Sequence, residues 1–284
     1  MRVFLNLCEG LKMLGVGFRV NDYRYIRCHP EEVACIIGKP HVLDKIAWSN
    51  PILFGAAVYS HPSDDPELFQ RLDIRKVLVP GEWMREMCEP FWGEKVAAWP
   101  VGIDTDKWCE ESDSKHYDVL IYDKVRWEHE RYENELISPI RTALKERGLS
   151  FAEIRYGYYR EEDFKSLIQS SRSMIFLCEH ETQGIAYQQA LACGVPILAW
   201  DRGGFWQDPN FYPERVKYGP VSSVPYWDER CGMKFKNADE LKVTLDVFLA
   251  TATAKGYRPR DYVMENLTLQ KSALAYLDHW NDVS

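Results

Sequence analysis

Between Ser173 and Ala199 the chain runs from an apolar stretch into a polar turn, a glycine-led helical stretch, a second glycine, and an apolar run containing Pro196. Ser173–Leu177 and Pro196–Ala199 have strand character, and Gly184–Cys193 has helical character. Gly194 suits the position that follows a helix. Two strands joined by a helix of this length read as parallel neighbours, which cannot be joined by a tight hairpin. This unit therefore requires a parallel sheet covered by helices.

The same alternation recurs on both sides. Ahead of it we read a helix over residues 4–14, strands at Val16–Val20 and His41–Leu43, and a short helix or loop at Glu31–Gly38. Ile52–Tyr59 reads as a buried strand ending at Ser60-His61-Pro62, Asp64–Leu72 as a helix, and Lys76–Val79, Gly81–Phe91 and Lys95–Trp99 as strand, helix and strand. A polar stretch, Cys109–His116, separates this series from a second one. There, strands at Tyr117–Tyr122 and Ser150–Tyr156 alternate with helices at Glu130–Arg147 and Glu161–Ser170, and helices at Ala238–Ala252 and Asp261–Trp280 close the chain. The expected fold class is α/β, with two Rossmann-like doubly wound domains and a C-terminal helix packing back on the first. The expected divisions are 1–112, 113–260 and 261–284. The chain has 284 residues, enough for two cores.

Ligands of such sheets bind beyond the carboxyl ends of the strands. That rule singles out His61, Gly102, Lys124, Glu181 and Gly203, each of which follows an expected strand. Gly184 and Ile185 open the central helix, where a glycine lets a phosphate approach the free amides. A net charge of −8 and the lack of basic tracts argue against nucleic acid as a partner. The eight cysteines are scattered with no C-x-x-C pair, so neither zinc nor a small disulfide framework is expected. The N-terminal stretch lacks the apolar core of a signal peptide, and the expected location is the cytoplasm, with peripheral membrane contact left open.

Residues 179–196, EHETQGIAYQQALACGVP, resemble the donor-binding segment of retaining GT-B glycosyltransferases of the group 1, family 4-like kind. Upstream, Val77–Trp83 and Trp99-Pro100-Val101-Gly102-Ile103-Asp104 resemble the end of that family's first domain. The resemblance runs over about residues 50–284, and the part before residue 112 is short for the family's first domain. It implies that Glu181 contacts the donor sugar, that His61 faces the same sugar, and that Lys124 and Arg126 meet the donor diphosphate. Gln189 stands where the family has a second glutamate on the ribose, and a glutamine amide can still bond to ribose hydroxyls. The implied activity is transfer of a sugar from a nucleotide-sugar donor to a hydroxyl of a glycan or lipid-linked acceptor, with retention. No metal and no other cofactor is expected, because cations and helix amides would carry the phosphate charge. The alternatives are a non-catalytic sugar-nucleotide or glycan-binding protein on the same fold, and a sugar-nucleotide epimerase.

Overall fold

The structure, a computed structural model, describes residues 2–38, 40–56, 59–111 and 115–284. It comprises two compact units, Met1–Gly102 with Leu267–Ser284, and Ile103–Asn266.

In the first unit α1 (Arg2–Met13) and α2 (Tyr23–Cys28) precede β1 (Ala34–Ile36) and β2 (Ile52–Gly55). Then come α3 (Leu68–Arg71), β3 (Ile74–Val79), α4 (Glu82–Trp92) and β4 (Val96–Ala98). The four strands form a parallel sheet in the order β1-β2-β3-β4. Ile52, Leu53 and Phe54 of β2 are buried because strands flank β2 on both edges and helices cover the faces, so a continuous apolar run suits it.

Three expectations here are corrected. Val16–Val20 is a loop, because the Val16 amide is spent on the end of α1, donating to Leu11 O at 3.0 Å past a left-handed Gly15. The strand of this region is Ala34–Ile36, and His41–Leu43 lies in a 3₁₀ turn, Pro40–Asp44. The expected helix 64–72 is split into a 3₁₀ turn, Pro62–Asp64, and α3, because Pro66 keeps the preceding Asp65 out of the helical region, at φ −151° and ψ 83°. Part of the expected strand Ile52–Tyr59, residues 57 and 58, lies outside the described residues.

The second unit contains β5 (Tyr117–Lys124), α5 (His129–Tyr132), α6 (Ser138–Glu146), β6 (Phe151–Arg155), α7 (Glu161–Gln169) and β7 (Ser171–Cys178). It continues through α8 (Ile185–Ala192), β8 (Ile197–Trp200), β9 (Gly232–Phe235), α9 (Ala238–Thr253) and α10 (Pro259–Asn266). A wider π turn, Glu133–Ile137, joins α5 to α6 just ahead of Pro139, whose missing N–H interrupts the helical ladder. The sheet is parallel with the order β6-β5-β7-β8-β9. Alternation along β5 sends Val119 and Ile121 into a core with Ile140, Leu144, Leu245 and Phe248. Tyr122, facing the other way, stacks on Phe176 and packs on Phe164.

The polar stretch 109–116 packs within this second unit: Glu111 accepts from Lys165 and Gln169, and the Lys115 ammonium donates to Gln169 O. Residues 112–114 of that stretch lie outside the described residues. The division of the chain instead falls at Gly102/Ile103. Arg260 of α10 secures the start of the unit, donating to the carbonyls of Thr105, Trp108 and Ala192.

The expected last helix, 261–280, is two helices. The first, α10, ends at Asn266, and Thr268 caps α11 (Leu269–Asn281), its hydroxyl accepting from Lys271 N. α11 belongs to the first unit. There the Trp99 indole donates to Ser272 O at 2.9 Å, Ser272 donates to Pro100 O at 2.7 Å, and Gly10 of α1 lets the backbone of Leu269 approach. Among the described residues no helix is long and apolar enough to cross a membrane.

Candidate functional site

β5 and β7 are neighbours, yet the chain leaves β5 toward β6 on one side and leaves β7 toward β8 on the other. Such a reversal opens a crevice beyond the strand ends, where the crossover connections diverge. Lys124 ends β5 and is in register with Cys178, which ends β7. The loops 125–128 and 179–184 therefore face each other across the reversal.

Glu179 holds these two loops together. Its side chain is buried, and Oε1 accepts from the backbone amides of Arg126 and Trp127 at 2.8 and 2.9 Å. Oε2 has no hydrogen-bond partner and lies 3.7 Å from Arg126 Nε. The Arg126 guanidinium lies over the Trp127 ring and donates to His180 O at 3.0 Å. His180 is buried, and burial first, then Arg126, Arg202 and Lys124, depresses its imidazole to about 2, so it is neutral.

Lys124 and Glu181 form an ion pair with side chains only 13% and 9% exposed. Burial acts to lower the Lys124 pKa, but the facing Glu181 carboxylate outweighs it and the net shift is upward. The ammonium also lies 4.4 Å from the centre of the Tyr156 ring. The Glu181 amide donates to Ser222 O at 2.9 Å. Ser222 is in turn fixed by Asp201, which accepts from Ser222 Oγ, from the Ser223 amide and from Lys234.

Gly184 precedes α8 in a left-handed conformation, φ 80°, and provides no side-chain cap. A side chain there would run into the Tyr187 ring, with a Cβ only 2.0 Å from Cε1. Tyr187 is itself fixed by donating to Tyr226 O and accepting from Tyr226 N. The glycine is thus required by packing inside the unit. It also leaves the first amides of α8, from Ile185 onward, without a capping acceptor, an arrangement suited to an anion. Gln188 is consumed structurally, paired with Gln183. Gln189 is buried on the same helix.

The structure thus brings Lys124, Arg126, Glu181, Gly184 and Ile185 to one edge of one sheet, with Gln189 farther along α8. His61 belongs to the first unit. It caps the Pro62–Asp64 turn: Nδ1 accepts from the Ser63 amide at 3.1 Å, which leaves the proton of a neutral ring on Nε2, and the ring packs edge-on against Phe91. Three residues of the edge were not singled out from sequence: Glu179, His180 and Arg202. Arg202 lies two residues past the end of β8 and donates to the Tyr132 hydroxyl at 2.8 Å, while its Nε is buried without a partner. Its place just after an expected strand was the signal that could have found it.

No family model matches this chain, and no curated protein does. Solved structures do share its fold. TarM aligns over 91% of this chain with a TM-score of 0.60 at 13% identity. The N-terminal domain of trehalose-6-phosphate phosphatase from Candida albicans aligns over 92% with a TM-score of 0.59 at 10% identity, and 72% of that chain is covered. The pneumococcal O-GlcNAc transferase GtfA, solved with UDP and GlcNAc, aligns over 77% with a TM-score of 0.51 at 12% identity. The chain spans about half the length of two of these, 57% of TarM and 47% of GtfA. At such identities the likeness shows the fold, and the fold is GT-B-like: two Rossmann-like units built on parallel sheets, with a final helix returning to the first.

Proposed function

We propose that this chain is a glycosyltransferase that binds a nucleoside-diphosphate sugar at the carboxyl edge of the second unit's sheet. The observation that carries the reading is the buried Lys124–Glu181 pair at the β5/β7 reversal, beside the uncapped start of α8. A diphosphate needs cations and amide donors, and a donor sugar needs a fixed carboxylate. Lys124, Arg126 and the amides from Gly184 and Ile185 onward take the diphosphate. As the glycosidic bond breaks, charge grows on that leaving group, and donors already in place stabilise it without reorganising. Glu181, tied by its amide to Ser222, orients the sugar, and the side-chain amide of Gln189 receives the ribose. His61 is assigned to the sugar as well. The transfer is proposed to retain configuration, with a hydroxyl of a glycan or lipid-linked molecule as acceptor and the departing phosphate taking its proton. GtfA, solved with UDP and GlcNAc, supports the donor class.

The test is a thermal-shift series with UDP, GDP, ADP, TDP and CMP, alone and as their sugars. A ligand at a hundredfold excess over its Kd adds about 2.7 kcal/mol to stability. One nucleotide should raise the melting temperature, and Lys124→Met and Gly184→Ala should abolish the rise. Absence of a shift with every nucleotide would remove the donor site.

A further inference from the structure

Glu179 carries more charge than its hydrogen bonds require. Its side chain is only 1% exposed, and a buried carboxylate is costly unless it is paired and hydrogen-bonded. Oε1 accepts from the Arg126 and Trp127 amides, a task that the neutral oxygen of a glutamine would also perform. Oε2 accepts no hydrogen bond, and the cation facing it is Arg126, whose Nε lies 3.7 Å away. The negative charge is therefore explained by the guanidinium and not by the two amides.

Arg126 is held from several sides at once. Its amide is fixed on Glu179 Oε1, and its Nε faces Oε2. Its Nη2 donates to His180 O at 3.0 Å, and the guanidinium lies 4.3 Å from the centre of the Trp127 ring. Nη1 has no partner among the described residues, and the side chain as a whole is 32% exposed. A planar guanidinium can be gripped along one edge and still donate from the other, which a lysine ammonium on its flexible stem cannot do.

We propose that Glu179 is a positioning residue for the diphosphate: its carboxylate fixes the plane of the Arg126 guanidinium, so that Nη1 is presented to a phosphate oxygen before the ligand arrives. This rests on the reading that Arg126 meets the diphosphate, and deepens it. An arginine already ordered in the free protein loses little side-chain entropy on binding, so its hydrogen bond adds more to affinity. Glu179 acts on the ligand only through Arg126, and the two side chains therefore behave as one unit.

The test is calorimetric titration of the full-length chain with inorganic pyrophosphate, which presents the diphosphate without base or sugar. Wild type, Glu179→Gln, Arg126→Gln and the double variant form a cycle. Arg126→Gln should weaken binding about tenfold or more, and Glu179→Gln about three- to tenfold. With Arg126→Gln already present, Glu179→Gln should weaken it no further. Arg126→Lys should bind little better than Arg126→Gln. If Glu179→Gln does not fold, Glu179→Asp, which keeps the charge but withdraws it by one methylene, replaces it in the cycle with the same expectation. A Glu179 that only supports the fold would instead weaken binding equally with and without the Arg126 side chain. That result, or pyrophosphate binding unchanged in Glu179→Gln, would overturn the proposal and leave the donor-site reading standing. Failure of the wild type to bind pyrophosphate would overturn both.

Discussion

Replacing Lys124 with methionine removes the cation from a pair whose side chains are 13% and 9% exposed, and leaves the Glu181 carboxylate buried without it. Exposed ion pairs contribute about 0.2–1 kcal/mol. Breaking a buried pair costs about 3–5 kcal/mol, because the remaining charge has lost its counter-ion but not its burial. Exposures this low place the pair in the second class. Urea unfolding at pH 7, followed by tryptophan fluorescence, should therefore show Lys124→Met destabilised by about 3 kcal/mol or more. The double variant Lys124→Met/Glu181→Leu should recover much of that loss, since an apolar pair of similar volume substitutes for a buried ion pair at little cost. The pH dependence provides an independent sign. In the wild type the folded Lys124 pKa is raised, so its stabilisation is present in full below the unfolded value of ~10.4 and is lost as pH rises through the folded one. In Glu181→Gln the opposing carboxylate is gone and burial dominates, so the folded pKa falls below the unfolded value. Stability should then decline as pH drops from ~10.4 toward that depressed value. Single-variant costs below about 1 kcal/mol, additive in the double variant, would refute the assignment of a buried, coupled pair.

Gly184→Ala should destabilise the second unit by ~2 kcal/mol or more, since it combines a positive φ with a Cβ 2.0 Å from the Tyr187 ring; an unchanged denaturation midpoint would refute this. His180 has a folded pKa depressed to about 2, so the unfolded chain binds its proton first as pH falls. That group alone should make stability fall by about 1.4 kcal/mol per pH unit below ~6.5, and His180→Asn should flatten the profile over that window. Arg260→Ala leaves three carbonyls of the second unit without their donor and should cost ~3 kcal/mol in urea unfolding, with Arg260→Lys losing less.

The edge of the second sheet was readable because its residues are local to strand ends. Lys124 follows an apolar run, and Glu181 lies between another such run and a glycine-led helix, so position alone marked both. Their contact, 57 residues apart in sequence, was not readable, because it depends on β5 and β7 becoming neighbours while β6 is placed outside them. Gly184 stands out in the sequence because it opens a helix, but its Tyr187 contact is a packing fact that no spacing rule expresses. The first unit was less legible. Val16–Val20 has the composition of a strand, but its first amide closes the end of α1 and the segment is a loop, whereas Ala34-Cys35-Ile36 is too short to show a period and becomes a strand only through β2. β9 was missed for a similar reason: four residues, Gly232–Phe235, include a glycine and a lysine and are recruited by β8. The break before α11 could have been found, since Thr268 is a good capping residue in the middle of an otherwise periodic stretch.

The return of α11 has a consequence for the order in which the protein can be made. Residues 103–266 form one unit, and the helix that completes the other unit is encoded after all of them. On the ribosome, chains generally fold domain by domain from the N-terminus. Here the second unit can close while the first still lacks the helix that covers Gly10 and accepts the Trp99 indole proton. The segment before residue 103 therefore keeps an apolar face open while residues 103–266 are made, a window in which a chaperone would be expected to engage it.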